Sequence, residues 1–103
     1  MKFSLKSDSP AISVVIPCLN EEDTIGRCLK KLVKVAASEN IQMEVIVADN
    51  GSTDKSVEIC EGLGVVVLEV KQRGYGSALK RGIEVAKAEY VLMADADDSY
   101  DFF

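Results

Sequence analysis

Four short apolar runs punctuate the chain: Ile12-Ser13-Val14-Val15-Ile16, Met43-Glu44-Val45-Ile46-Val47-Ala48, residues 65–70, and Tyr90-Val91-Leu92-Met93-Ala94. They are rich in β-branched residues and nearly continuous in apolar character, the pattern of strands covered on both faces. Between them the apolar positions change to helical spacing, first at Ile25, Cys28, Leu29, Leu32, Val33 and Ala36. The spacing recurs at Val57 and Cys60, then at Ala78, Leu79, Ile83 and Ala86. Strands alternating with helices predict right-handed crossovers and a Rossmann-like α/β fold, a parallel sheet of four strands with helices on both faces.

The polar residues between these runs predict the boundaries. Pro17 should end the first strand by removing a donor. Asn20 can cap a helix whose first turn carries Glu21, Glu22 and Asp23. After the second strand, Gly51 supplies a turn and Ser52 or Thr53 can cap a helix running to about Glu61, stopped by Gly62 or Gly64. Asp54 reads as a helix-entry residue. Lys71-Gln72-Arg73-Gly74-Tyr75-Gly76 forms a link to a third helix over 77–87. Ligands of an open parallel sheet bind beyond the carboxyl ends of its strands. Asn20, Asp49, Arg73 and Asp95 should therefore converge along one edge, where helix N-termini also favour a phosphate.

With 103 residues and 48% hydrophobic side chains, the chain has material for one core, so residues 1–103 are read as a single domain or part of one. A net charge of -5, with lysines and arginines scattered among acids, argues against a nucleic-acid partner. The three cysteines, Cys18, Cys28 and Cys60, are odd in number and come with no histidine. That disfavours a disulfide framework or a zinc site and suits a cytoplasmic setting. Residues 1–10 lack an apolar core of signal-peptide type, and no stretch approaches the roughly 20 residues that span a bilayer.

The fourth apolar run ends in Asp95-Ala96-Asp97-Asp98. Two residues apart on an extended chain, Asp95 and Asp97 project to one side, and hard divalent ions take such oxygens while leaving positions open for phosphates. Aspartates at a strand end also start turns and cap helices, and taken alone these four residues favour that reading. Gly74-Tyr75-Gly76 is a weak signal by itself, since paired glycines often only permit tight turns. Arg73 suits either a phosphate contact or plain solvation beside Lys71. No G-x-G-x-x-G follows the first strand, which disfavours a dinucleotide-binding oxidoreductase.

Taken in order, four segments resemble the inverting glycosyltransferases of family 2 with the GT-A fold, which include bacterial polysaccharide synthases and dolichyl- or polyprenyl-phosphate sugar synthases. They are Val14-Val15-Ile16-Pro17-Cys18-Leu19-Asn20-Glu21-Glu22, Val47-Ala48-Asp49-Asn50-Gly51-Ser52-Thr53-Asp54, Gly74-Tyr75-Gly76-Ser77-Ala78 and Asp95-Ala96-Asp97. The resemblance implies a nucleotide-sugar donor, UDP-glucose-like or GDP-mannose-like, bound by Pro17, Leu19, Asn20, Glu21, Asp49 and Gly74. Asp49 would accept a hydrogen bond from the base, and Asn50 stands where the family usually has a second acid. Leu19 stands where many relatives have an aromatic residue, and Ser99 where dolichyl-phosphate mannose synthases often have glutamine. Asp95 and Asp97 match the metal-binding D-x-D motif, implying Mg2+ or Mn2+ bridging the donor diphosphate.

The activity implied is inverting hexosyl transfer to a polyprenyl phosphate or a growing glycan, in cell-wall or polysaccharide biosynthesis. A non-catalytic nucleotide-sugar-binding or interaction module is the alternative. The family's acceptor region, any catalytic base and its membrane-associating elements lie beyond the stretch matched here, so no catalytic residue is assigned. The expectation is a donor-binding part, inactive by itself, of a protein working at the cytoplasmic face of a membrane. An uncovered fourth strand would favour self-association of the piece.

Overall fold

The computed structural model describes residues 10–96. Seven elements follow in the order β1 (Ile12–Cys18), α1 (Ile25–Ser38), β2 (Met43–Asp49), α2 (Ser56–Gly62), β3 (Val66–Glu69), α3 (Tyr75–Val85) and β4 (Tyr90–Met93). The four strands form one sheet in the order β3-β2-β1-β4, with every neighbouring pair parallel. The expected α/β architecture is therefore present. Among the described residues no helix is long and apolar enough to cross a membrane.

Alternation along the strands divides the core between two faces. Val14, Ile16, Cys18, Met43, Val45 and Val47 pack with Ile25, Cys28, Leu29 and Leu32 of α1 and with Cys60 of α2. On the other face Ala48 packs with Val70 and Ala78 of α3. Val14, Val15, Ile16, Val45, Ile46 and Val47 are almost wholly excluded from water. Burial of each such side chain stabilises the fold by about 1.5–3 kcal/mol before the entropy of ordering it is counted.

Two polar residues interrupt these apolar runs and pair with each other. The buried Ser13 hydroxyl donates to Glu44 Oε1 at 2.8 Å, and the same carboxylate oxygen accepts the Lys87 N–H at 3.0 Å. Ser13 Oγ accepts the Ala88 N–H at 3.1 Å. Together they tie the α3–β4 link to the sheet, which offsets the cost of burying a carboxylate.

Several boundaries differ from expectation. Pro17 lies inside β1, in register with Ala48. Val15 O accepts from Ala94 and Cys18 O from Asn50, so alternation turns Pro17 toward the β4 side, where pairing has already ended at Val15 and Met93. No ladder bond is lost there. Asn20 does not cap α1; it adopts φ 54, residues 22–24 form turns, and Thr24 precedes the helix. Asp54, not Ser52 or Thr53, opens α2, its Oδ1 accepting the Ser56 N–H at 2.9 Å. Among the described residues β4 is an edge strand of the sheet, with Tyr90, Leu92 and Met93 exposed.

Candidate functional site

From β2 the chain steps outward one way to β3 and then returns across β1 to β4, so the strand order reverses between β1 and β4. A cavity of about 480 Å³ opens at the carboxyl ends of those two strands, the switch point where open α/β sheets bind ligands. Pro17, Cys18, Leu19 and Glu21 line it from the end of β1, and Asn50 lines it from the end of β2. Arg73, Gly74, Tyr75 and Ala78 come from the start of α3, and Asp95 and Ala96 from the end of β4.

Of the predicted donor-binding residues, Pro17, Leu19, Glu21 and Gly74 line this cavity, whereas Asn20 and Asp49 do not. Asn20 fastens two loops together. Its Oδ1 accepts the Thr53 N–H at 2.8 Å and the Asp54 N–H at 3.3 Å, while its own N–H donates to Ser52 Oγ at 2.9 Å. Glu21 and Glu22 extend the fastening: their N–H groups donate to Ser56 Oγ at 2.8 Å and Asp54 Oδ2 at 3.1 Å. The Glu22 carboxylate in turn accepts the Lys55 N–H at 3.1 Å. Six of these bonds cross between the β1–α1 and β2–α2 loops, which leaves the Glu21 side chain on the cavity wall.

Asp49, expected to contact the base, is set apart from the residues that line this cavity. Asp49 continues the face of Met43, Val45 and Val47, toward α1 and α2, and is 4% exposed. Its carboxylate accepts the Gly51 N–H at 3.1 Å, the Ser52 N–H at 2.9 Å and the Ser52 hydroxyl. Those bonds make it the organiser of its own turn. One residue later the alternation reverses, and Asn50 faces the cavity and α3. Gly51 completes the turn at φ 99, and a Cβ there would come within 2.8 Å of Arg73 Nη1. Arg73 is therefore not merely solvated: its Nη1 donates to Asn50 O at 2.9 Å and it borders the cavity.

At the other end Asp95 emerges half-buried from β4. Its backbone is held from α1 and the turn before it, since the Thr24 hydroxyl donates to Ala96 O at 2.7 Å and Cys28 Sγ to Asp95 O at 3.6 Å. The Tyr75 hydroxyl donates to Asp95 Oδ1 at 2.9 Å. Asp97 lies outside the described residues. Among the described residues no group of three or more His, Cys, Asp or Glu could hold a metal unaided. Mg2+ and Mn2+ do not require one, being held by one or two carboxylates together with substrate phosphates. A hard oxygen donor such as Asp95, at the wall of a cavity with space for a diphosphate, fits that mode of binding.

The thiols are placed for packing. Burial pushes Cys18 up to about 11 from the usual thiol value, against a lowering hydrogen bond with Ser56, and the nearby Asp49 charge adds to the rise. Burial likewise pushes Cys60 up to about 12, with Cys18 and Asp49 nearby. Neither is an activated nucleophile.

Thr24, Asn50 and Tyr75 emerge as site-building residues that the strand and helix pattern did not single out. Tyr75 had a usable signal in its place between two glycines, and Asn50 in the resemblance, where it stands in place of an acid.

Residues 13–102 match the sequence profile of Glycosyl transferase family 2. The low-salt glycan biosynthesis hexosyltransferase Agl6 of Haloferax volcanii is 41% identical over 101 residues, covering 97% of this chain and 24% of that protein. The undecaprenyl-phosphate 4-deoxy-4-formamido-L-arabinose transferase of Edwardsiella ictaluri is 36% identical, covering 84% and 29% respectively. Among solved structures, glucosyl-3-phosphoglycerate synthase from Mycobacterium tuberculosis, in complex with Mn2+, UDP and glucosyl-3-phosphoglycerate, superposes with a TM-score of 0.72 at 30% identity. That match covers 84% of this chain and 33% of the synthase. The chain thus spans about a quarter of the length of Agl6 and a third of the synthase.

Proposed function

The chain belongs to glycosyl transferase family 2 and carries the α/β sheet of the GT-A fold, and from that premise we propose that it binds the nucleotide-sugar donor of a hexosyl transfer. The observation that carries the proposal is a single cavity at the sheet's switch point, walled by the β1 loop at one end and by Asp95 at the other. The nucleoside lies against Pro17, Leu19 and Glu21, and the diphosphate extends toward Asp95. Glu21 offers a carboxylate to base or ribose N–H and O–H groups, a strong acceptor in a partly desolvated wall. Arg73 and the Gly74 backbone flank the path of the phosphates.

Bound Mg2+ or Mn2+ would supply Lewis-acid stabilisation of the departing nucleoside diphosphate, and Asp95 with Asp97 would hold it. The reaction is displacement at the anomeric carbon with inversion. A polyprenyl phosphate is the acceptor that this reading favours, supported by the undecaprenyl-phosphate transferase among the relatives. Such an acceptor is already an anion and needs little help from a general base.

Calorimetric titration with UDP-glucose and with GDP-mannose, each with and without Mn2+, tests the donor site. At least one nucleotide sugar should bind, Mn2+ should tighten it, and Asp95→Asn should remove most of that gain. Binding that ignores both the metal and the substitution would sink the metal leg of the proposal.

A further inference from the structure

Asn50 stands at the cavity wall with its whole carboxamide committed. The residue is 6% exposed. Its Nδ2 donates to Val70 O at 3.0 Å and to Gln72 O at 2.9 Å, and its Oδ1 accepts the Gly74 N–H at 2.7 Å. Its backbone carbonyl accepts from Arg73 Nη1 at 2.9 Å. Four bonds therefore run from one residue to the stretch 70–74, between β3 and α3.

Only an amide can do this. A carboxylate has no hydrogen to donate, and at this position it would face the Val70 and Gln72 carbonyl oxygens with a negative charge. Gly74, held by Asn50 Oδ1, immediately precedes α3 and adopts φ 116, so the grip on its N–H sets where the helix begins. The first helical residue is Tyr75. The residue is 59% exposed, yet its hydroxyl reaches across to Asp95 Oδ1. A chain of contacts thus leads from the end of β2, through the start of α3, to the carboxylate at the end of β4.

We propose that Asn50 is a positioning residue for the metal end of the cavity: by fixing the 70–74 loop it holds Tyr75 where its hydroxyl orients the Asp95 carboxylate. The amide at position 50 thereby sets the metal-dependent part of nucleotide affinity without touching the metal. The inference rests on the donor-site reading above. It adds a requirement that a carboxylate at this position would not meet with this loop.

The test combines amide hydrogen exchange with calorimetry of UDP, with and without Mn2+, on wild type, Asn50→Asp, Asn50→Ala and Tyr75→Phe. Asn50→Ala, which removes the acceptor of the Gly74 N–H, should speed exchange at Gly74 by at least about tenfold, the scale of one lost hydrogen bond, while amides at 14–16 and 45–47 keep their protection. The Mn2+-dependent gain in UDP affinity should fall by about tenfold in Asn50→Asp and also in Tyr75→Phe, one charge-assisted bond's worth. Tyr75→Phe should leave Gly74 exchange at the wild-type rate. A full Mn2+ gain in Tyr75→Phe or Asn50→Asp overturns the proposal, as does exchange accelerated equally throughout the sheet, which would mark a merely structural role. A wild-type chain that binds no nucleotide refutes the donor-site reading alone. Wild-type protection of Gly74 in Asn50→Ala refutes the positioning role whether or not nucleotide binds.

Discussion

Gly82→Ala and Gly76→Ala make the same chemical change in the same helix and should move stability in opposite directions. A Cβ at Gly82 would overlap Val15 Cγ1 and lie 3.5 Å from Val15 Cβ and Cγ2. Val15 cannot give way: it is fully buried in β1, in register with Ile46 on one side and Met93 on the other. Helix α3 must instead lift from the sheet, and such overpacking costs about 1–3 kcal/mol. Alanine's better helix propensity returns only about 0.8–1.0 kcal/mol in a helix interior, leaving a net loss of up to about 2 kcal/mol. At Gly76 nothing lies within 4 Å of the added Cβ, so the smaller propensity gain of the first turn survives as about 0.5 kcal/mol of stabilisation.

Both substitutions restrict the unfolded chain alike, so the difference between them isolates the contact with Val15. Urea unfolding followed by circular dichroism measures it. With a slope of about 1–3 kcal/mol per molar urea, the two midpoints should separate by on the order of 1 M. A Gly82→Ala midpoint at or above wild type would refute the close-packing argument. The consequence reaches the cavity, because lifting α3 also displaces Tyr75 and Ala78 from its wall.

The division of labour between Asp49 and Glu21 predicts opposite signatures. Asp49→Ala should cost about 2 kcal/mol of stability through the lost turn bonds and lower nucleotide affinity little in the folded protein. Glu21→Ala should change stability by less than about 0.5 kcal/mol and weaken nucleotide binding about tenfold, the loss of one charge-assisted bond. Urea midpoints and calorimetry on both variants check the pattern, and the reverse result would return Asp49 to the ligand. For the thiols, pH sets the sign. Cys18 and Cys60 titrate in the fold at about 11 and about 12, above the value of 9.0 for a free thiol, so above pH 9 the unfolded chain loses protons that the folded chain keeps. Stability from this source is fully present below pH 9 and falls above it, by up to about 1.4 kcal/mol per pH unit for each thiol. The urea midpoint should drop between pH 8 and pH 10, less so in Cys18→Ala, and an equal drop in the two proteins would count against a buried Cys18.

Element type was legible because the physics behind it is local. Nearly continuous β-branched runs and a 3.6-residue apolar period each specify their own structure, and all four strands and three helices appear close to where the pattern puts them. The ends were less legible because caps are decided by what arrives from elsewhere. Asn20 suits a helix start by composition, yet it spends its amide oxygen on Thr53 and Asp54 across a gap of more than 30 residues. Pro17 stays in its strand because β4 pairs with β1 only as far as Val15.

The placement of Asp49 and Asn50 on opposite faces lies between these cases. Alternation from Met43, Val45 and Val47 already assigns Asp49 to the α1–α2 face, so the parity of the strand contained that fact. What alternation could not supply was the presence of Val70 O, Gln72 O and Gly74 N around the Asn50 amide, or of Tyr75 beside Asp95.

By itself, then, the sequence determined the order of strands and helices, the two faces of each strand, and an acidic end to the fourth strand. The tertiary structure decided which loop residues line the cavity and which partners hold the loops together. A hydrogen bond between residues 20 to 75 positions apart exists only once the sheet order has closed the distance, whereas periodicity is written into neighbouring residues.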